Sequence, residues 1–115
     1  MRWVSFTDRY GAQQHDDITL DRLSELLPTI AVYDGDDEHR SISVSDSDAW
    51  NLEFYPHRVL FENSEVGGEE VGSLRGLSEK ERLDIADEFI RGDFAALRAR
   101  PWGRRGAVVA TSPVN

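Results

Sequence analysis

Asp34, Asp36, Asp37 and Glu38 set four carboxylates within five residues around Gly35. Oxygen ligands at that density are what a calcium ion takes. An EF-hand loop beginning at Asp34 needs glycine at its sixth position and a bidentate Glu at its twelfth, where this chain has His39 and Ser45. An Asp-Gly hairpin turn accounts for the same residues without a metal. His15, His39 and His57 stand singly, and no His-Glu-x-x-His pattern brings two imidazoles onto one helix face. The chain has no cysteine, so a thiolate nucleophile, a thiolate metal site and a disulfide are all excluded.

Glu53 and Glu62 fall on segments that read as pairing strands, and paired carboxylates can do glycosidase-type acid–base work. In so short a chain no pocket is implied, and solvent-facing acids are the simpler account. Gly67-Gly68 runs into Glu69-Glu70, which repel phosphate where a phosphate-binding loop carries Lys and Ser or Thr. Arg98, Arg100, Arg104 and Arg105 cluster around Trp102, a combination suited to single-stranded nucleic acid. In a chain this acidic they read better as internal counter-charge or a solvated tail. None of these residues assembles into a catalytic constellation. The chain reads as a non-enzyme with no metal and no cofactor.

The elements that position these residues follow from periodicity. Arg2 to Thr7 reads as a strand and Asp8 to Asp17 as turn. Thr19 is placed to cap a helix whose apolar stripe is Leu20, Leu23, Leu26 and Leu27, with Pro28 ending it. Thr29–Tyr33 and Glu38–Ser45 read as strands joined by the Asp34–Asp37 turn. Asp46-Ser47-Asp48 is a second turn. Trp50, Leu52 and Phe54 alternate with polar residues as a half-buried strand, and Arg58 to Glu62 returns beside it. Val71 to Leu74 is a short last strand. Ser78 and Glu81 make a capping box for a helix with Leu83, Ala86, Phe89 and Ile90 inward, and Gly92 closes it. Asp93 caps a shorter helix that Pro101 stops, and Trp102 folds back onto the core. The pattern predicts an α+β fold: an antiparallel β-sheet with two or three helices packed on one face. Residues 1–102 form one domain and 103–115 a mobile tail, in which 107–110 could add an edge strand.

At 115 residues with 39% hydrophobic content, the chain can bury one modest core. It has no apolar run long enough for a signal peptide or membrane span, so a cytoplasmic protein that avoids membranes is expected. The charge is uneven. Between Asp34 and Glu70 eleven acids face two bases, a net −9 that equals the formal charge of the whole chain. From Arg75 onward eight bases face six acids. Such a block repels nucleic acid and attracts basic proteins. The candidate contact residues, chosen from turns and strand ends, are Asp34, Asp36, Asp37, Glu38, Asp46, Asp48, Glu65, Glu69 and Glu70, with Tyr33 and Tyr55 as aromatic anchors.

A strand bearing Trp3 precedes the Leu-rich helix Leu20-Asp21-Arg22-Leu23-Ser24-Glu25-Leu26-Leu27. An acidic, mostly β middle follows, then a helix with Ala86-Asp87-Glu88-Phe89 and Gly92, then Pro101 and Trp102. This layout resembles the Imm1-type immunity proteins of bacterial polymorphic toxin systems. The resemblance implies a non-enzymatic cytoplasmic inhibitor that binds a cognate toxin, in that family often a nucleic-acid-targeting enzyme such as a deaminase. The alternative from charge alone is an acidic adaptor or DNA mimic that docks on a basic nucleic-acid-handling protein.

Overall fold

The computed structural model describes residues 1–31, 40–65 and 67–103. Among them six strands form one sheet: β1 (Val4–Thr7), β2 (Gln13–Gln14), β3 (Ile42–Asp46), β4 (Trp50–Phe54), β5 (Arg58–Asn63) and β6 (Glu70–Arg75). Their order is β2-β1-β3-β4-β5-β6, and every neighbouring pair is antiparallel. The helices are α1 (Leu20–Leu26), continued by a 3-10 turn (Leu27–Ile30), α2 (Glu79–Arg91) and α3 (Phe94–Ala99). The expected α+β fold is present.

Period-two alternation sorts the strands. Ile42, Val44, Leu52, Phe54, Val59 and Phe61 point to one face and are fully buried. Against them pack Leu23 and Leu26 of α1, Ile30, Ile85, Ala86 and Phe89 of α2, and Leu97 of α3, in one continuous core. Among the described residues no helix covers the other face, which presents Ser43, Ser45, Asn51, Glu53, Leu60, Glu62 and Ser73. A sheet covered on one side only is what the alternation of serines with Ile42 and Val44 predicts.

The caps fall where the sequence puts them. Thr19 Oγ1 accepts from Arg22 N at 3.1 Å. Ser78 Oγ accepts from Glu81 N at 3.1 Å while Glu81 Oε1 accepts from Ser78 N at 2.8 Å, closing the capping box. Gly92 ends α2 at φ 76°, a left-handed conformation that glycine adopts without strain. Asp93 caps α3 through Ala96 N at 3.2 Å. Trp102 does fold back: its Nε1 donates to Leu97 O at 2.6 Å, and its ring lies 5.3 Å from that of Phe61.

Three expectations need correction. Thr29 and Ile30 are not strand. Pro28 sits in the first turn of the 3-10 helix, where its missing N–H costs nothing, and Ile30 is buried in the core. β3 pairs with β1 and β4 on its two sides, so Thr29 and Ile30 have no place beside it. Val32, Tyr33 and the Asp34–Asp37 turn lie outside the described residues. Gln13–Gln14 is a strand where only turn was expected, a polar edge too short to show alternation. Gly103 belongs to the fold: it exchanges hydrogen bonds of 2.9 Å in both directions with Ser73. Residues 104–115, including the proposed 107–110 strand, lie outside the described residues.

Candidate functional site

Antiparallel pairing sends the connections to two ends of the sheet. The β3–β4 turn, Ser47 to Ala49, and the β5–β6 connection, Ser64 to Glu69, emerge together at one end. They are tied to each other: Ser64 N donates to Ala49 O at 2.8 Å and Asn63 Nδ2 to Asp48 O at 3.1 Å. Within the second connection Asn63 N donates to Glu69 O at 2.6 Å and Gly68 N to Glu65 O at 2.7 Å. Four of the candidate residues, Asp48, Glu65, Glu69 and Glu70, are thereby brought to one end of the sheet, all exposed.

Their charges are not equally available. Glu69 takes a two-pronged ion pair from Arg98, at 3.2 and 3.1 Å. That hydrogen bonding raises the Arg98 pKa further above its ordinary value. Arg100 is held likewise by Glu88, with both prongs at 2.8 Å. These two arginines act as internal counter-charge, one of the two roles expected for the C-terminal bases. Arg104 and Arg105 lie outside the described residues. Among the described residues Asp48, Glu65 and Glu70 make no ion pair.

Asp46 does not project into solvent. It is the last residue of β3, and its side chain is fully buried against Arg2 Nε at 2.9 Å. Its Oδ1 also accepts from Asp48 N at 2.9 Å and Trp50 N at 3.0 Å. A short acid just before a tight turn collects the turn's N–H groups, so Asp46 builds the acidic end and does not present itself there. Tyr55 is at the opposite end, beneath the Arg58 guanidinium at 4.1 Å. Tyr33, Asp34, Asp36, Asp37 and Glu38 lie outside the described residues.

The open face of the sheet carries a network that charge counting missed. Glu53 accepts from Ser41 Oγ at 2.5 Å, Ser43 Oγ at 2.6 Å and Asn51 Nδ2 at 3.1 Å. Asn51 Nδ2 also approaches Glu62 at 3.5 Å, and its Oδ1 accepts from Ser45 Oγ at 2.7 Å. The register sets Glu53 opposite Leu60 and Glu62 opposite Asn51, so the two acids lie diagonally with the amide between them. Partial burial, then the charge of Glu53, raise the Tyr55 pKa above 10.0. The signal was present in Ser41, Ser43 and Ser45, which read only as a wet face.

This arrangement holds the Glu53 carboxylate in one orientation by three donors. Among the described residues no group of three or more His, Cys, Asp or Glu is placed to hold a metal ion. No helix among them is long and apolar enough to cross a membrane. No protein-family model, curated protein or solved structure matches the chain.

Proposed function

We propose that the chain is a non-enzymatic binding protein that occupies the basic cleft of a partner, in the manner of a toxin-neutralising immunity protein. The reading rests on the convergence at one end of the sheet of Asp48 and Glu65, on two interlaced loops, and Glu70, the first residue of β6. Carboxylates on a braced surface that make no ion pair among the described residues speed encounter with a basic partner and disfavour acidic ones. A toxin that handles nucleic acid needs a basic cleft, which gives such a surface its target. The open face beside it, with Glu53 held by serines, extends the contact area.

The test is a tagged pull-down from the native host at low and high salt, followed by charge reversal. One dominant partner that survives high salt and is toxic when expressed alone is expected. The triple variant Asp48→Lys, Glu65→Lys, Glu70→Lys is expected to fold normally and to slow association by about tenfold or more at low salt. Unchanged association removes this end of the sheet from the interface. A spread of basic proteins lost at high salt, and displaced by DNA, sinks the immunity reading.

A further inference from the structure

Among the described residues the opposite end of the sheet is basic. There the turn Tyr55-Pro56-His57 joins β4 to β5, and Arg58 opens β5. The register places Arg58 directly across from Arg75, the last residue of β6. Like charges in directly opposed positions destabilise a strand pair, so the pairing by itself is a cost to the fold. Neither arginine is relieved by an acid: among the described residues no carboxylate bonds Arg58 or Arg75. Arg58 stacks on the Tyr55 ring, which fixes its plane, and a stacked guanidinium keeps its N–H edge for an oxyanion. Arg82 reaches the same turn from α2, donating Nη2 to Pro56 O at 3.0 Å. Burial lowers its pKa.

These groups line concave surface. Two cavities of about 300 and 350 Å³ share Pro56, His57 and Arg75. The first adds Arg40, Arg58 and Tyr55, and the second adds Arg82, Gly76 and Leu77. Among the described residues no Asp or Glu lines either one. Cavities of this size fit a small molecule, not the surface of another protein.

We propose that this end of the sheet binds a small phosphomonoester, with Arg58 and Arg75 gripping the phosphate and the Pro56 and Leu77 side walls contacting an apolar ester group. Two arginines in directly opposed register positions supply two positive charges, which match a dianion. A single carboxylate would leave one of the two charges uncompensated. Planar guanidiniums also meet phosphate oxygens with paired N–H donors. Glu53 and Glu62 lie on the same face beyond Tyr55 and repel an anion from the middle of the sheet, which confines the phosphate to the arginine end. The site is separate from the acidic end and does not depend on the partner proposed for it.

The experiment is a titration followed by amide NMR shifts at fixed ionic strength. The probes are inorganic phosphate, phenyl phosphate and sodium chloride. Both phosphates are expected to give saturating shifts centred on residues 55–58 and 75–77, with phenyl phosphate the tighter. Arg75→Gln and Arg58→Gln are each expected to weaken binding by about tenfold, the scale of one lost charge-assisted contact. Arg98→Gln removes the same charge from the far end and is expected to leave binding within about twofold, because screening mutes charges more than a Debye length away. Three results overturn the proposal: no saturation by roughly 20 mM phosphate, far weaker than arginine–phosphate contacts allow, shifts that chloride reproduces, or equal losses in Arg98→Gln and Arg75→Gln.

Discussion

Replacing Asp46 or Arg2 tests how the acidic end is braced. Arg2 does three things with one side chain. Its Nε pairs with Asp46, its Nη1 and Nη2 donate to Ile90 O at 3.0 Å and Phe89 O at 2.6 Å, and its guanidinium lies over the rings of Phe89 and Phe94. It thus satisfies carbonyls near the C-terminal end of α2, where a cation is favoured, and fastens that helix to the β3–β4 turn. Asp46→Ala strands the Asp48 and Trp50 N–H groups and leaves Arg2 without its counter-charge. Removing one partner of a buried pair typically costs about 3–5 kcal/mol, and two bare turn donors add nothing that water cannot partly offset, so about 3 kcal/mol is expected. The Arg2 side chain is 26% exposed, so water can partly take its place; Arg2→Ala should cost about 2 kcal/mol. Asp46→Asn keeps an acceptor for the turn and should fall between Asp46→Ala and the wild type. Against a total stability of about 5–15 kcal/mol these losses are large. The assay is urea unfolding followed by tryptophan fluorescence at constant m, with the double variant closing the cycle. A loss below about 1 kcal/mol for Asp46→Ala, or a coupling energy near zero, would falsify the clasp.

Gly72 lies in β6 at φ 146°, and a Cβ there would sit 2.7 Å from Gly103 O and 3.0 Å from Trp102 Cβ. Gly72→Ala is therefore expected to cost about 1–3 kcal/mol and to shift Trp102 fluorescence as the segment is pushed off the strand; an unchanged spectrum refutes it. Ser78→Ala should lose about 1 kcal/mol of stability at neutral pH, read by thermal unfolding. The Glu81 carboxyl, held by the Ser78 backbone and hydroxyl, titrates below its ordinary 4.5. Its contribution is therefore present above that value and lost as pH falls through the depressed one, and NMR should find the pKa moving up in Ser78→Ala. Tyr55 should ionise above 10.0, because burial and the Glu53 charge oppose the phenolate; Glu53→Gln should bring the ultraviolet transition down and Arg58→Gln should move it up. The reverse order would mean that Arg58 does not face the ring.

Local rules sufficed wherever one element's own residues decide its form. Thr19, the Ser78–Glu81 box, Gly92 and Asp93 marked helix ends because a cap is made by residues three or four apart. Alternation in 42–61 exposed the half-covered sheet because burial on one face is written into every second residue. The uneven distribution of charge was legible for the same reason: it is a sum over sequence. What a side chain does once placed was not legible. Asp46 looked like Asp48, two residues on; only the packing of Arg2 from the other end of the chain turned one into a buried brace and left the other exposed. Ile30 read as strand because apolar residues near a turn signal fit either element, and the position of β1 beside β3 decided against it. Arg58 and Arg75 are seventeen residues apart in sequence, and register alone made them neighbours. Their pairing, like the Glu53 network, depends on contacts between strands, and strand order is a property that no short stretch of sequence carries.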